Sequence, residues 1–317
     1  MKIVVLDGYC LNPGDLSWDA LSKFGEVTVY DRTPVEKVIE RAMDADIIAV
    51  NKIPFGKQTL ASLPNLKLIC VLATGYNIID TASARELGIT VTNIPSYSTE
   101  AVAQLVFAYI LHFASKVSLH NESVHNGDWA SCPDFCYTAA PIYELKDKTL
   151  GIIGYGSIGK QVAKIAAAFN MRVIATSRSH TEGSDGTVEF HSRDYIVENA
   201  DFLTLHTPLT NETRELVNSE FLNKMKRSAY LINTSRGPVV NEADLADALE
   251  NGIIAGAAVD VLAMEPAAKD CPLTKCDKCI ITPHIAWAPL ETRQRLMNVF
   301  IGNVEAFVEG RAVNVVN

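Results

Sequence analysis

The segment Leu150-Gly151-Ile152-Ile153-Gly154-Tyr155-Gly156-Ser157-Ile158-Gly159 decides how the fold of this chain is interpreted. Its first four residues fit a short buried strand, and residues 160–169, rich in alanine and valine, fit a helix. In such a strand–turn–helix unit, the first glycine permits a tight turn, the second lets the backbone approach a pyrophosphate, and the third lets the helix pack on the strand. Free N–H groups at the start of the helix then face the phosphates. The segment therefore predicts a dinucleotide-binding site.

The rest of the chain alternates short apolar runs with helical patterns. The first hundred residues predict strands at 3–6, 27–30, 47–50, 68–72 and 90–93, and a helix at 34–43. A long helix is predicted from Thr99 to about His120, followed by a loop-rich stretch at 125–145. Further strands are predicted at 150–153, 172–176, 202–206, 230–233, 255–261 and 279–282, and a closing helix at 290–309. This alternation indicates an α/β protein with two doubly wound parallel sheets.

The residues that follow the strand at 172–176 bear on the type of dinucleotide. An NAD site usually has an acidic residue at the end of this strand, where it binds the ribose 2′-hydroxyl group. Here Ser177 stands at that position and Arg178 follows. Because arginine can pair with a 2′-phosphate, we predict NAD(P)(H) with NADP(H) favoured over NAD(H). The alternative is that Arg178 is a solvated charge stacking on adenine, with NAD(H) accepted. A nucleotide triphosphatase loop is disfavoured because Gln161 replaces the serine or threonine that binds magnesium.

Three polar residues follow predicted strands in the second half of the chain: Arg236, Glu265 and His284. Ligands of parallel α/β sheets bind at the carboxyl ends of the strands. There a guanidinium can hold a 2-keto acid's carboxylate by two hydrogen bonds, and a histidine can give a proton to the carbonyl oxygen. A neighbouring carboxylate would favour the protonated imidazole and orient it. Each residue alone could be structural, but together they predict hydride transfer to a small 2-keto acid.

The chain resembles the D-isomer-specific 2-hydroxyacid dehydrogenase family over nearly its whole length, and within it the glycerate dehydrogenase and hydroxypyruvate reductase branch. The matching segments are residues 150–159, 206–210, 233–238, 257–266 and 282–288. The resemblance implies that Arg236 binds the substrate, that His284 donates the proton, and that Glu265 is the partner of His284. The predicted cofactor contacts are Gly154, Tyr155, Gly156, Ser157, Ile158, Gly159, Ser177, Arg178, His206, Thr207, Pro208, Thr213, Thr234, Ser235 and Asp260. The resemblance implies that Asp260 faces the nicotinamide amide, whereas Ser177 and Arg178 depart from the family pattern. Implied substrate contacts are Asn51, Lys52, Thr74, Gly75 and Trp287.

The resemblance also implies the domain organisation and the reaction. Residues 1–98 and 287–317 form a flavodoxin-like substrate (catalytic) domain, into which an NAD(P)-binding Rossmann domain at 99–286 is inserted, with catalysis between them. The reaction implied is reversible reduction of hydroxypyruvate to D-glycerate, with glyoxylate as a second substrate. Alternatives are another D-2-hydroxyacid dehydrogenase (D-lactate-type or phosphite) and a corepressor-like protein that senses the dinucleotide. A homodimer that uses the helix near residues 99–120 is expected, although the apolar face of this helix would equally suit an intrachain core.

Composition limits the remaining possibilities. The 317 residues carry a net charge of −9 without a basic run, which gives no electrostatic footprint for nucleic acid or an anionic membrane. The chain opens on an apolar strand pattern instead of a signal peptide, so a cytoplasmic protein is expected. The seven cysteines include one cluster, Cys271, Cys276 and Cys279, which lacks a fourth zinc ligand. Free thiols and no metal site are therefore predicted.

Overall fold

The computed structural model describes residues 1–179 and 182–317. These residues form two compact units: unit 1 comprises Met1–Ser98 with Trp287–Asn317, and unit 2 comprises Thr99–Ala286. Each unit has its own sheet and its own hydrophobic cores.

The sheet of unit 1 is parallel throughout, in the order β2-β1-β3-β4-β5. Its strands are β1 (Lys2–Val5), β2 (Glu26–Val29), β3 (Ile47–Val50), β4 (Leu68–Val71) and β5 (Thr90–Thr92). The central strands β3 and β4 are buried at every residue, as expected of a parallel sheet that is covered on both faces. The order matches the flavodoxin-like arrangement, in which the strand order reverses between β1 and β3 and ligands bind at the carboxyl edge of that switch point.

Helices cover both faces of the unit 1 sheet. They are α1 (Val38–Ala42), α2 (Lys57–Ala61) and α3 (Thr81–Glu86), and near the end of the chain α10 (Leu290–Val308). Shorter 3-10 helices occupy Gly8–Cys10, Asp19–Phe24 and Val35–Lys37. One core contains Ile48, Ile69 and Phe55, and the other contains Ile47, Leu68 and Phe300 of α10. The alternation of side chains along β3 and β4 thus supplies both cores.

Unit 2 contains an eight-stranded sheet in the order β13-β12-β11-β10-β6-β7-β9-β8. The strands are β6 (Thr149–Ile153), β7 (Arg172–Thr176), β8 (Gly183–Ser184), β9 (Glu189–Phe190), β10 (Phe202–Leu205), β11 (Tyr230–Asn233), β12 (Gly256–Val259) and β13 (Cys279–Ile281). The helices are α4 (Thr99–Ser115), α5 (Val117–His125), α6 (Ser157–Ala168), α7 (Arg193–Asn199), α8 (Ser219–Lys224) and α9 (Glu242–Glu250), with 3-10 helices at Gly237–Val239 and Pro272–Lys275. The strand order reverses between β6 and β10, as in the Rossmann arrangement. The predicted fold class, two doubly wound parallel sheets, is confirmed.

Two details of unit 2 differ from the sequence prediction. The edge strand β8 pairs with β9 in the antiparallel sense, and neither of these two-residue strands was predicted, because they are too short to leave a pattern. The helix predicted from Thr99 to about His120 is wrong as a single element, since it breaks at Lys116, which has a left-handed φ of 48°. The N–H group of Tyr143 donates to the carbonyl of Ala114 at the break (2.9 Å), so a distant loop satisfies the helix end.

Within the described residues, no single helix combines the length and the apolar composition needed to cross a bilayer. The bent pair α4 and α5 reaches them only when the two helices are taken together. The apolar side of α4 is used inside unit 2, where Val106, Ile110 and Phe113 pack in one core with residues of β6 and α6.

Candidate active site

The glycine loop after β6 has the geometry that the sequence predicts. Gly154 has a φ of 102°, and a Cβ added to it would lie 2.5 Å from the carbonyl oxygen of His206. A Cβ on Gly159 would lie 2.4 Å from the carbonyl oxygen of Gly154, so α6 can approach the strand only without a side chain there. Gly156 differs, because a Cβ on it would meet nothing within 4 Å. The open space beside Gly156 leaves room for a ligand at the first turn of α6.

This space fits the pyrophosphate of a dinucleotide. Gly156 is the N-cap of α6 and provides no side-chain acceptor for the first N–H groups of the helix, which begins at Ser157. Phosphate oxygens are the acceptors that such a helix end attracts. Near the carboxyl ends of neighbouring strands, two hydroxyl groups, Thr207 Oγ1 and Thr234 Oγ1, are buried and without a hydrogen-bond partner among the described residues. Buried hydroxyl groups are rarely left unpaired, so these atoms also indicate a bound polar group.

Two predicted contacts lie beyond β7, and a third lies within the glycine loop. Ser177 directly follows β7, and its Oγ lies 3.3 Å from Ser179 Oγ, while Arg178 is exposed. Tyr155 turns towards the β8–β9 hairpin, where its hydroxyl donates to Asp185 Oδ2 (3.2 Å) and its ring meets Phe190 edge-on at 5.1 Å. Tyr155 is therefore held by the protein itself, and Arg178 is an exposed cation at this end of the site.

The segment after β10 is ordered by its own side chains. Thr213 Oγ1 donates to the carbonyl of Pro208 (2.7 Å) and accepts from the N–H of Thr210 (2.7 Å), so Thr213 shapes the loop. His206 Nε2 lies 3.0 Å from Thr204 Oγ1, and its Nδ1 is buried without a partner among the described residues. Burial lowers the pKa of His206 to about 3, so this imidazole is neutral near neutral pH.

Arg236 follows β11 on a loop that a buried amide organises. The side chain of Asn233, at the end of β11, donates to the carbonyl of Arg236 (3.0 Å) and accepts from both the N–H (3.0 Å) and the hydroxyl (2.8 Å) of Ser235. The guanidinium of Arg236 donates from Nη1 to the carbonyl of Ser235 (2.7 Å). One terminal nitrogen of the guanidinium is therefore held by the protein, and the remaining N–H groups can bind an anion.

Gly237 brings the Arg236 loop against the loop that carries Glu265. A Cβ on Gly237 would lie 1.9 Å from the carbonyl carbon of Leu262, so only glycine permits this approach. The loop is further held by Glu242, the first residue of α9, whose Oε1 accepts from the N–H of Ala263 (2.6 Å). The structure thus places the Arg236 and Glu265 loops side by side, as β11 and β12 are neighbours in the sheet.

Glu265 and His284 are in direct contact. Glu265 Oε2 lies 2.7 Å from His284 Nδ1, and Glu265 Oε1 accepts from the N–H of Leu262 (3.1 Å). Because an ionised carboxylate can only accept, Nδ1 carries the proton in this contact. The other ring nitrogen, Nε2, is then free to act on a substrate. The two side chains remain partly open to solvent, at 28% for His284 and 33% for Glu265.

Asp260, at the end of β12, is buried and fully engaged within the protein. Its Oδ1 accepts from Thr282 Oγ1 (2.5 Å) and the N–H of Ile285 (2.8 Å), and its Oδ2 accepts from the N–H of Ala286 (2.9 Å). Burial raises the pKa of Asp260, and these hydrogen bonds act in the opposite direction. Asp260 therefore holds the backbone around His284, while its contact with the nicotinamide amide stays a prediction.

The predicted substrate residues of unit 1 lie at the carboxyl edge of its sheet. Asn51 and Lys52 follow β3, and their N–H groups donate to the carboxylate of Asp7, which follows β1 (2.8 Å from each N–H). Burial raises the pKa of Asp7, and these backbone hydrogen bonds counteract the rise. The sequence reasoning assigned no role to Asp7, although an acidic residue at the end of a buried strand is the signal that would have identified it.

The Thr74–Gly75 loop follows β4 and is held from two sides. Thr74 Oγ1 donates to the carbonyl of Ile94 (2.8 Å), and the side chain of Asn93 donates to the carbonyl of Thr74 (2.8 Å). Asn93 in turn offers its own carbonyl to the side chain of Asn303, a buried residue of α10 (2.9 Å). Trp287 is partly buried and packs against the core that contains Phe300. These contacts fix the loop backbone and leave its role towards a substrate as a prediction.

The cysteine cluster lies outside these loops. Within residues 1–179 and 182–317, no group of three or more His, Cys, Asp or Glu side chains is arranged to hold a metal ion. Burial raises the pKa of Cys279 to about 12, so this thiol is protonated near neutral pH. Cys271 Sγ lies 3.7 Å from Glu242 Oε2. The other carboxylate oxygen of Glu242 accepts from the N–H of Ala263, in the loop that carries Glu265.

Comparison with known proteins identifies the family. The model of the D-isomer specific 2-hydroxyacid dehydrogenase, NAD binding domain, matches residues 107–286. The chain is 46% identical over 321 residues to a hydroxypyruvate reductase of Blautia hydrogenotrophica, with 100% of both chains covered. It is 44% identical over 318 residues to a glycerate dehydrogenase of Methylorubrum extorquens, with 99% of this chain and 98% of the relative covered. Among solved structures, an acyclic imino acid reductase in complex with NADPH and D-Arg has a TM-score of 0.87 at 31% identity, with 100% of both chains covered.

These matches confirm the predicted family, the enzyme class and the use of a nicotinamide cofactor. The glycine loop, the unpaired threonine hydroxyl groups and the Glu265–His284 pair all lie in the matched region. The chain belongs to the D-isomer specific 2-hydroxyacid dehydrogenases, which are oxidoreductases.

Proposed function

We propose that this enzyme reduces hydroxypyruvate to D-glycerate, and the reverse, with glyoxylate as a second substrate. The observation that carries the proposal is the 2.7 Å contact between Glu265 and His284, next to the Arg236 loop at the carboxyl ends of neighbouring strands. The similarity to proteins named hydroxypyruvate reductase and glycerate dehydrogenase, at 46% and 44% identity, supports this choice of substrate.

The residues have distinct tasks in the proposed reaction. Arg236 binds the substrate carboxylate through two N–H groups, which sets the neighbouring keto group in place. His284 Nε2 gives its proton to the carbonyl oxygen, and the imidazole becomes neutral as the O–H bond forms. Glu265 accepts the Nδ1 proton in a hydrogen bond and thereby keeps the ring orientation. When bound, a nicotinamide cofactor would supply the hydride for the carbonyl carbon, or accept a hydride in the reverse direction.

We assign the remaining substrate contacts to unit 1. The N–H groups of the Thr74–Gly75 loop are proposed to bind the substrate carboxylate, with Asn51 and Lys52 beside them. The hydrogen bonds from Asn93 and to Asp7 support this assignment, because they fix the backbone of both loops from behind. Trp287 is proposed to limit the size of the substrate side chain.

The test is steady-state reduction of a panel of 2-keto acids by NADPH and NADH. Hydroxypyruvate is expected to give the largest kcat/KM, followed by glyoxylate, and pyruvate would lead instead in a D-lactate-type enzyme. Phosphite oxidation with NAD(P)+ tests the other enzyme alternative. His284→Gln is expected to lower kcat by about 10²–10⁴-fold with little change in dinucleotide Kd, since it removes the proton donor alone. His112→Gln, on α4, is the matched control.

Two results would contradict this proposal. A wild-type protein that binds dinucleotide but turns over no keto acid would favour the corepressor-like alternative. A His284→Gln enzyme with wild-type kcat would remove His284 from proton transfer. Arg236→Lys provides a further check, because a lysine cannot reproduce the two-pronged hydrogen bond and is expected to raise KM for the keto acid.

We propose a preference for NADP(H) over NAD(H). The support is the absence of an acidic residue directly after β7, where Ser177 stands, and the exposed guanidinium of Arg178. Arg178→Ala is expected to weaken NADPH binding and to leave NADH binding unchanged. Ser177→Asp is expected to reverse the preference, because a carboxylate repels the 2′-phosphate and accepts from a 2′-hydroxyl group. Arg193→Ala, at an exposed residue of α7, is the control, and equal effects on both dinucleotides would contradict the preference.

We also propose a homodimer. Helix α5 and the loop after it present several exposed apolar residues, among them Val117, Trp129 and Phe135, the last with 89% of its surface exposed. Within this loop, Trp129 Nε1 donates to the carbonyl of Phe135 (3.1 Å). Light scattering coupled to size-exclusion chromatography is expected to give a dimer mass. Phe135→Ser should shift it towards the monomer, whereas the exposed Leu87→Ser of unit 1 should not.

A further inference from the structure

A chain of short hydrogen bonds runs from helix α4 to Asp260 through the interior of unit 2. The hydroxyl of Tyr109 lies 2.5 Å from Thr282 Oγ1, and Thr282 Oγ1 lies 2.5 Å from Asp260 Oδ1. The Asp260 carboxylate accepts all of its hydrogen bonds, so Thr282 donates to it. The Thr282 hydroxyl has one proton, and Tyr109 must therefore donate to Thr282. The Asp260 carboxylate therefore fixes the direction of both hydrogen bonds.

Asp260 in turn forms hydrogen bonds with the backbone of His284 and of the two residues that follow it. The carbonyl of Asp260 accepts from the N–H of His284 (2.8 Å), and its carboxylate accepts from the two following N–H groups, those of Ile285 and Ala286. His284 has a φ of 54°, in the left-handed region that residues other than glycine seldom adopt. Such a conformation persists where surrounding contacts impose it. Three consecutive backbone N–H groups bound to one aspartate are such contacts.

We propose that Tyr109 and Thr282 are positioning residues for the reaction: they hold the Asp260 carboxylate and, through it, the backbone of His284. The inference rests on the proposed function of His284 and adds two residues that do not touch the reacting atoms. Valine and phenylalanine would fill the same volume as Thr282 and Tyr109 without a polar group to satisfy. The hydroxyl groups of buried Tyr109 and half-buried Thr282 are then accounted for by the buried Asp260 carboxylate that they support, because a buried charge is costly unless it is hydrogen-bonded.

Thr282→Val and Tyr109→Phe test the inference, with hydroxypyruvate and NADPH as the probes. Each variant removes a hydroxyl group and keeps the shape of the side chain. The expected result is a kcat lowered about tenfold, the rate equivalent of one net hydrogen bond, with the Kd for NADPH within about twofold of wild type. Thr282→Ser keeps the donor and should retain a kcat within about twofold. Thr92→Val, at a buried threonine of unit 1 that bonds Cys70 Sγ (3.3 Å), is the matched control and should leave kcat unchanged.

The double variant separates a linked chain from two independent effects. If Tyr109 acts only through Thr282, Thr282→Val with Tyr109→Phe should lose no more kcat than Thr282→Val alone. Tyr109→Phe removes one atom, so it remains informative if Thr282→Val does not fold. Wild-type kcat in folded Tyr109→Phe, or a loss in Thr282→Ser as large as in Thr282→Val, would overturn the inference. These outcomes test the inference only if the wild-type enzyme reduces hydroxypyruvate. An inactive wild-type enzyme would contradict the proposed function instead.

Discussion

Gly156→Ala should weaken dinucleotide binding with little loss of fold stability. Gly156 has a φ of −88° and a ψ of −159°, a conformation that alanine adopts without strain. Among the described residues, the added methyl group would meet no atom within 4 Å. We therefore expect it to obstruct a ligand at the first turn of α6, which is the proposed position of the pyrophosphate.

The expected magnitudes follow from this geometry. Loss of one hydrogen bond between an N–H group and a charged phosphate costs about 1.5–3 kcal/mol, which raises Kd about 10–150-fold. The free energy of unfolding should fall by at most about 1 kcal/mol, the usual cost of alanine at an N-cap. Calorimetric titration with NADPH and NADH gives Kd, and urea unfolding gives the stability.

Two other glycines serve as controls for Gly156→Ala. Gly56 is the N-cap of α2, with a φ of −85° and likewise nothing within 4 Å, so Gly56→Ala repeats the helix change away from the dinucleotide. Gly159→Ala forces a methyl group to within 2.4 Å of the carbonyl oxygen of Gly154 and should destabilise the fold by about 1–3 kcal/mol. Unchanged Kd values for both dinucleotides in Gly156→Ala would refute the placement of the pyrophosphate.

Three further predictions concern the supports of the site. Glu265→Gln should lower kcat about 10–100-fold, which is part of the contribution of general acid catalysis, and should leave the Kd for NADPH unchanged. Stopped-flow reduction at saturating NADPH measures the rate, and an unchanged rate would exclude an orienting role for Glu265. Burial lowers the pKa of His206 to about 3, so the unfolded chain takes up a proton below about pH 6.5 that the folded protein does not bind. Stability should therefore fall with decreasing pH between about 6.5 and 3, by up to about 1.4 kcal/mol per pH unit from this residue, and urea unfolding of His206→Asn should show a shallower pH dependence than wild type. Asn93→Ala removes the hydrogen bond to the carbonyl of Thr74 and should raise KM for the keto acid several-fold at unchanged Kd for NADPH. The control is Asn317→Ala, which removes side-chain hydrogen bonds to the backbone of Val91 and Ile89 and should leave KM unchanged.

The strands, and the positions of the candidate site residues after them, could be predicted because they leave strong local patterns. The buried runs at β3, β4, β6 and β10 are apolar at nearly every residue, and each is followed by turn-forming or polar residues at the edge where ligands bind. The glycine spacing at 154–159 has a conformational cause that the structure makes explicit at Gly154 and Gly159. These features depend on residues close together in the chain.

The break at Lys116 and the roles of several supporting residues could not be predicted in the same way. No glycine or proline marks residue 116, and the helix end is satisfied by Tyr143 from a later loop. Asn233 and Thr282 look like ordinary strand-end residues until the hydrogen bonds to Ser235 and Asp260 are seen. Their importance depends on which strands become neighbours, and a single sequence carries no direct signal for such pairings.

The close approach of Gly237 to Leu262 has a consequence for redesign of the enzyme. The two loops pack together without space for even a methyl group, so they are structurally coupled. One carries Arg236, the proposed substrate anchor, and the other carries Glu265, whose carboxylate contacts His284. An insertion or a bulkier residue in either loop would displace both. Attempts to graft a new substrate specificity should therefore exchange residues 233–242 and 260–266 together, as a matched cassette.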